Sequence, residues 1–106
     1  MSEVSLEAFA AAHADGATVI DVREPGEYVA GHVPGAVLMP MGQLPSRTSK
    51  LDRGRTVYVI CASGNRSGAM TDYLVHSGFD ALSVAGGTSA WASAGRPVVT
   101  GQRPTA

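Results

Sequence analysis

Val57-Tyr58-Val59-Ile60 is the stretch that leaves this chain the fewest options. It is a short apolar run rich in β-branched residues, and it ends on the only cysteine, Cys61. Small and polar residues follow from Ala62 to Ser67, and a helical pattern then runs over Ala69 to Ser77. A run of this composition reads as a strand buried on both faces, and a parallel strand followed by a helix is its usual setting. The order is therefore strand, tight loop, helix start, with a thiol at the strand's carboxyl end. Successive backbone N–H groups and the positive end of a helix dipole make an anion cradle there. Such surroundings favour thiolate over thiol.

A lone cysteine after an apolar run is ordinarily a small buried hydrophobe. The residues that follow argue for more. Gly64 and Asn65 allow positive φ in a loop that curls its amides inward, and Arg66 brings a permanent cation close to the sulfur. A core cysteine needs none of these.

Cys61-Ala62-Ser63-Gly64-Asn65-Arg66-Ser67 resembles the active-site loop of rhodanese-like sulfurtransferases, in which a cysteine carries sulfane sulfur as a persulfide. The resemblance extends over most of the chain. Val19-Ile20-Asp21-Val22-Arg23-Glu24, then Glu27-Tyr28 and Gly31-His32-Val33-Pro34-Gly35-Ala36, is similar to the family's amino-terminal signature. Gly86-Gly87 with Trp91 is similar to its closing one. The resemblance implies a five-stranded rhodanese sheet, with Cys61 as nucleophile and Ala62, Ser63, Gly64, Asn65, Arg66 and Ser67 lining the substrate site.

The rest of the chain alternates helices and strands, which by itself argues an α/β fold, a mainly parallel sheet with helices on both faces. Helices are expected at Ser5–His13, capped by Ser5, and at Pro25–Ala30, where Pro25 suits a first turn. Strands are expected at Thr18–Val22, Ala36–Met39 and Leu82–Ala85. Pro40 to Arg55 reads as a connector with a weak helical piece near Met41 to Leu44. Met70, Tyr73 and Leu74 fall at helical spacing and read as core, Thr88 as the cap of a last short helix, and Trp91 as a packing anchor. At 106 residues and 44% hydrophobic, the chain is one globular domain over 1–106, with roughly the last ten residues, from about 97, a frayed tail. Asp21 with Arg23 reads either as a structural ion pair or as groups facing the site, and His32 either as a ring that bonds loop backbone or as a proton donor or acceptor; the first reading is preferred in each case, and the sequence does not decide the roles.

Other function classes are set aside on charge and spacing. A net charge of −1 gives no reason to expect nucleic acid or a membrane surface as partner. Arg47, Lys50, Arg53 and Arg55 read as a solvated charge run, although a basic rim attracting an anionic donor is the sharper alternative. His13, His32 and His76 lie far apart with one cysteine to join them, so no metal is expected. No amino-terminal signal and no apolar run of membrane-spanning length is seen, and a cytoplasmic protein is the expectation.

The chemistry expected is double displacement: Cys61 takes the outer sulfur of thiosulfate or another persulfide donor, and cyanide or a thiol acceptor removes it. No metal or organic cofactor is required. One cysteine allows no internal disulfide, so an outside acceptor must resolve the persulfide, and a protein thiol is one candidate. Two alternatives stand beside this. One is a non-catalytic or persulfide-carrier module serving a protein partner. The other is a cysteine phosphatase or arsenate reductase, although those carry arginine six positions after the cysteine, where this chain has Ser67.

Overall fold

The computed structural model describes residues 2–105. Its sheet has five strands, β1 (Glu3–Val4), β2 (Thr18–Asp21), β3 (Val37–Leu38), β4 (Val57–Ile60) and β5 (Ala81–Val84), in the order β1-β5-β4-β2-β3. Every pairing is parallel. The helices are α1 (Leu6–Ala14), α2 (Pro25–Ala30), α3 (Leu44–Arg47), α4 (Asn65–His76) and α5 (Gly87–Ser93). A 3-10 turn covers Thr48–Lys50.

Strand alternation sorts the side chains into two cores, one on each side of the sheet. Ile20, Val22, Val57, Val59, Cys61 and Ala81 face one side, where they meet Leu74 of α4, Leu44 of α3 and Phe79. Val19, Ile60 and Val84 face the other, with Phe9 of α1, Tyr28 of α2 and Trp91 of α5. Trp91 is 2% exposed and meets the Phe9 ring edge-on, centroids 5.5 Å apart. Since β4 lies between β5 and β2, its carboxyl end opens near the middle of the sheet's crevice edge.

Several boundaries differ from the sequence expectation. Strand β1 escapes detection because two residues carry no period. In α4 the inner face is Ser67, Thr71 and Leu74, while Tyr73, expected in the core, is 39% exposed. Two polar residues on the buried stripe put an apolar count out of phase. The helical piece expected near Met41 to Leu44 begins only at Leu44. Thr88 is not the cap of α5: Gly86, left-handed at φ 75, takes that position, and Thr88 lies inside the helix.

The tail expected to fray is tied down. His32 and Val99 exchange both backbone bonds at 2.9 Å, Gly101 N–H donates to Val29 O at 2.9 Å, and Gly35 N–H donates to Pro104 O at 2.9 Å. Trp91 Nε1–H reaches Pro97 O at 2.7 Å. These anchors are backbone amides and carbonyls, which leave no apolar pattern to read. His32, fully buried, places Nδ1 2.8 Å from Tyr28 O and Nε2 2.8 Å from Arg103 O, and it stacks on the Tyr28 ring at 3.6 Å. The backbone-bonding role read for it from sequence is thus the one it has.

Candidate active site

Cys61 leaves β4 in phase with Val57 and Val59, so its side chain turns to the α4 side of the sheet. Its residue exposure is 1%, which puts Sγ on the floor of the loop. The loop is short, running from Ala62 to Gly64. Gly64, at φ 112, is the N-cap of α4, and Gly68 N–H closes the first turn on Gly64 O at 3.1 Å. A side chain at that φ is strained, so glycine fits the turn. Helix α4 therefore starts at Asn65 rather than at Ala69 as expected, and Asn65, Arg66 and Ser67 form its first turn.

The sulfur receives a hydrogen bond from Gly64 N–H at 3.0 Å and lies 3.4 Å from the Ser67 hydroxyl. Burial pushes the thiol up, but the Ser67 hydroxyl and the amides of Ser67, Gly64 and Ser63 favour the anion more strongly. The net direction is down, which favours the thiolate relative to an ordinary cysteine. Ala62 is half-buried, while Ser63 and Asn65 face solvent. No hydrogen bond joins the Ala62 or Asn65 amide to Sγ among the described residues.

A residue the sequence reading missed stands behind Ser67. Ser83 on β5 is fully buried, on the same side of the sheet, and its hydroxyl lies 2.8 Å from Ser67 Oγ. That is its one side-chain hydrogen bond among the described residues, and either hydroxyl can be the donor; where Ser83 donates, Ser67 keeps its own proton. Ser67 is then free to donate to sulfur or to Gly64 O, 3.2 Å away. A serine in a buried strand position is the only signal the sequence carries for it. Ser67→Ala should raise the pH midpoint of iodoacetamide alkylation by about half a pH unit or more, since one donor to the anion is lost. An unmoved midpoint would assign the whole effect to the amides.

Helix α5 holds the loop from the other side. Thr88 N–H donates to Cys61 O at 2.8 Å and Ser89 N–H to Ala62 O at 3.0 Å. This approach requires glycine at position 87, where φ is 60 and an added Cβ would stand 2.5 Å from Cys61 O and 2.7 Å from Ala62 O. Gly87→Ala should therefore cost about 2–4 kcal/mol, combining left-handed strain with overpacking. Urea unfolding measures the loss, and an unchanged midpoint would mean that the two backbones part without cost.

Arg66, read from sequence as the cation for an anionic donor, is engaged elsewhere. Nη1 and Nη2 donate to Glu27 Oε1 and Oε2 at 2.7 and 2.9 Å. Hydrogen bonds from Arg66 and from the Glu24 amide hold the Glu27 carboxyl down at about 2. Arg23 is likewise paired, with Nη2 2.8 Å from Asp21 Oδ2, and it also donates to Gly31 O at 2.8 Å. This pair is buried, the ion-pair arrangement preferred from sequence.

Two cations of the connector, Arg53 and Arg55, serve the opposite end of the strands. Arg53 donates to Ser77 O at 2.6 Å and lies over the Phe79 ring, and Arg55 donates to Gly16 O at 3.1 Å. Arg55 also lines a shallow groove of about 400 Å³ with Asp15, Ala17 and Thr56, remote from Cys61. Among the described residues no cluster of His, Cys, Asp and Glu is arranged to hold a metal ion.

A family model described as "Rhodanese-like domain" matches residues 5–94. The chain is 35% identical over 102 residues to a protein of Allochromatium vinosum named "Sulfurtransferase", covering 93% of this chain and 95% of that one. The crystal structure of a rhodanese-related protein from Thermoplasma volcanium superposes with a TM-score of 0.89 at 32% identity, covering 95% of this chain and all of that one. A thiosulfate sulfurtransferase structure from Pseudomonas aeruginosa matches with a TM-score of 0.84 at 25% identity, over 95% of this chain but 20% of that one.

Proposed function

The chain belongs to the rhodanese-like domain family, and on that premise we propose that it is a sulfurtransferase carrying sulfane sulfur as a persulfide on Cys61. The observation that carries this reading is the Cys61 sulfur lying 3.0 Å from the Gly64 amide and beside the Ser67 hydroxyl, at the start of a twelve-residue helix. A persulfide Cys–S–S⁻ needs that environment: donors for an anion, and no general base.

With thiosulfate as donor, the Cys61 thiolate attacks the outer sulfur. The Cys61 Sγ–S bond forms as the donor's S–S bond breaks, and sulfite leaves with the electron pair. Cyanide, a small thiol or a protein thiol then takes the terminal sulfur and returns the thiolate. The Pseudomonas aeruginosa relative bears thiosulfate in its name and supports that donor. The pairing of Arg66 with Glu27 weighs against a phosphatase, whose arginine must face the oxyanion. A free, nucleophilic thiol suits a reducing compartment, and the cytoplasm is our reading of its location. Among the described residues no helix is long and apolar enough to cross a membrane.

Intact mass tests the proposal. Incubation with thiosulfate should add one sulfur atom to the protein, and cyanide should remove it with release of thiocyanate. No gain with either thiosulfate or an alkyl persulfide would refute it.

A further inference from the structure

Both cations beside the loop are already bonded to carboxylates. Arg23 is bound by Asp21, with Nε 2.9 Å from Oδ1 and Nη2 2.8 Å from Oδ2. Arg66 is bound by both oxygens of Glu27. Glu27 Oε1 also accepts the Glu24 N–H at 3.0 Å, so the start of α2 fixes the carboxylate in place. The Glu27–Arg66 pair faces solvent, with side chains 37% and 34% exposed. It is nonetheless close to the sulfur: Arg66 directly precedes Ser67 in the first turn of α4, and the Ser67 hydroxyl lies 3.4 Å from Sγ. Asp21, Arg23, Glu27 and Arg66 sum to zero before the thiolate is counted, and the nearby Glu24 carboxylate, which caps α2 at the Glu27 N–H, is exposed to solvent and adds no cation.

We propose that the Glu27–Arg66 pair sets the charge class of the sulfur donor, keeping the loop mouth neutral so that a monoanionic sulfane donor is favoured over the dianion thiosulfate. This rests on the sulfurtransferase reading above. The loop amides offer partial charges suited to one anion, and a second negative charge on the donor has to be met by a cation. A guanidinium locked to a carboxylate presents a dipole, whose attraction falls off faster with distance than that of a free charge. Glu27 acts through Arg66 and touches neither sulfur nor donor, so it is a positioning residue. A thiosulfonate, R–SO₂–S⁻, fits the class. The Cys61 thiolate bonds to its terminal sulfur, the S–S bond breaks, and the sulfinate R–SO₂⁻ leaves with the electron pair, the total charge staying at minus two.

The test compares thiosulfate with methanethiosulfonate, both with cyanide as acceptor, in the wild type, Glu27→Gln and Glu27→Gln/Arg66→Gln. Glutamine at 27 keeps an oxygen for the Glu24 amide and frees the arginine charge. The ratio of kcat/KM for thiosulfate to that for methanethiosulfonate should rise at least fivefold in Glu27→Gln, with the change carried by KM. The double variant, again neutral, should return to within about twofold of the wild type. An unmoved ratio, a change carried by kcat, or a double variant that fails to return overturns the proposal. Should Glu27→Gln not fold, the wild type decides. Its kcat/KM for thiosulfate should be nearly flat as salt rises, whereas a steep fall would reveal a free cation drawing in the dianion. A wild type that gains no sulfur from either donor refutes the sulfurtransferase reading itself, whatever the variants do.

Discussion

Cys61→Ser should lose sulfur transfer down to the uncatalysed rate while keeping its fold. Serine matches the shape of cysteine, and its oxygen can still accept the Gly64 N–H that now reaches Sγ at 3.0 Å. Burial at 1% exposure is the reason to expect a modest stability cost, because a hydroxyl replaces a less polar thiol. That hydroxyl has the Ser67 Oγ as a partner, so it is not left unsatisfied. The chemistry has no such substitute. A hydroxyl is not ionised by a cradle that contains no general base, and oxygen does not store sulfane sulfur as a persulfide does. Thiocyanate production and the gain of sulfur mass should vanish together, with a thermal midpoint within a few degrees of the wild type. Residual turnover in a folded variant would move the chemistry away from Cys61.

The parts of this site that could be read from sequence are those where composition changes abruptly. The β4 strand, the cysteine and the helix behind it stand out because an apolar run gives way to Gly64 and a polar turn, and a helical period follows. Their packing partners are quieter. Ser83 is one hydroxyl in a four-residue strand, and only the register Val59↔Ser83 brings β5 alongside β4 and the cysteine. Glu27 lies 39 positions from Arg66, with nothing local in either segment to announce the pair. The sequence therefore suggested a free cation where the fold supplies a neutralised one. Gly87 stands in the sequence as one of a glycine pair, but the carbonyls that would meet its Cβ belong to Cys61 and Ala62, a contact that only the tertiary structure reveals.

The buried pair at the carboxyl end of β2 should show the largest stability effect. Asp21 has no side-chain exposure and Arg23 has 7%, and the carboxylate also accepts the Arg23 N–H at 3.1 Å. Asp21→Ala removes the countercharge and leaves a guanidinium buried with Gly31 O as its remaining partner. Breaking such a pair from one side costs about 3–5 kcal/mol. For a chain of this size that lowers the thermal midpoint by roughly 15 °C or more. The loss does not measure what the pair contributes, because most of it is the penalty of an unpaired buried charge. Asp21→Leu with Arg23→Met separates the two. Two apolar side chains of similar bulk remove both charges, and much of the lost stability should return if charge burial dominates. Recovery has a limit set by geometry. A thioether in place of the guanidinium cannot donate to Gly31 O, the carbonyl at the end of α2, so the turn leading to His32 stays looser than in the wild type. A double variant as unstable as Asp21→Ala would instead show that the hydrogen bonds of the pair, rather than the cost of an unpaired charge, hold this end of the sheet.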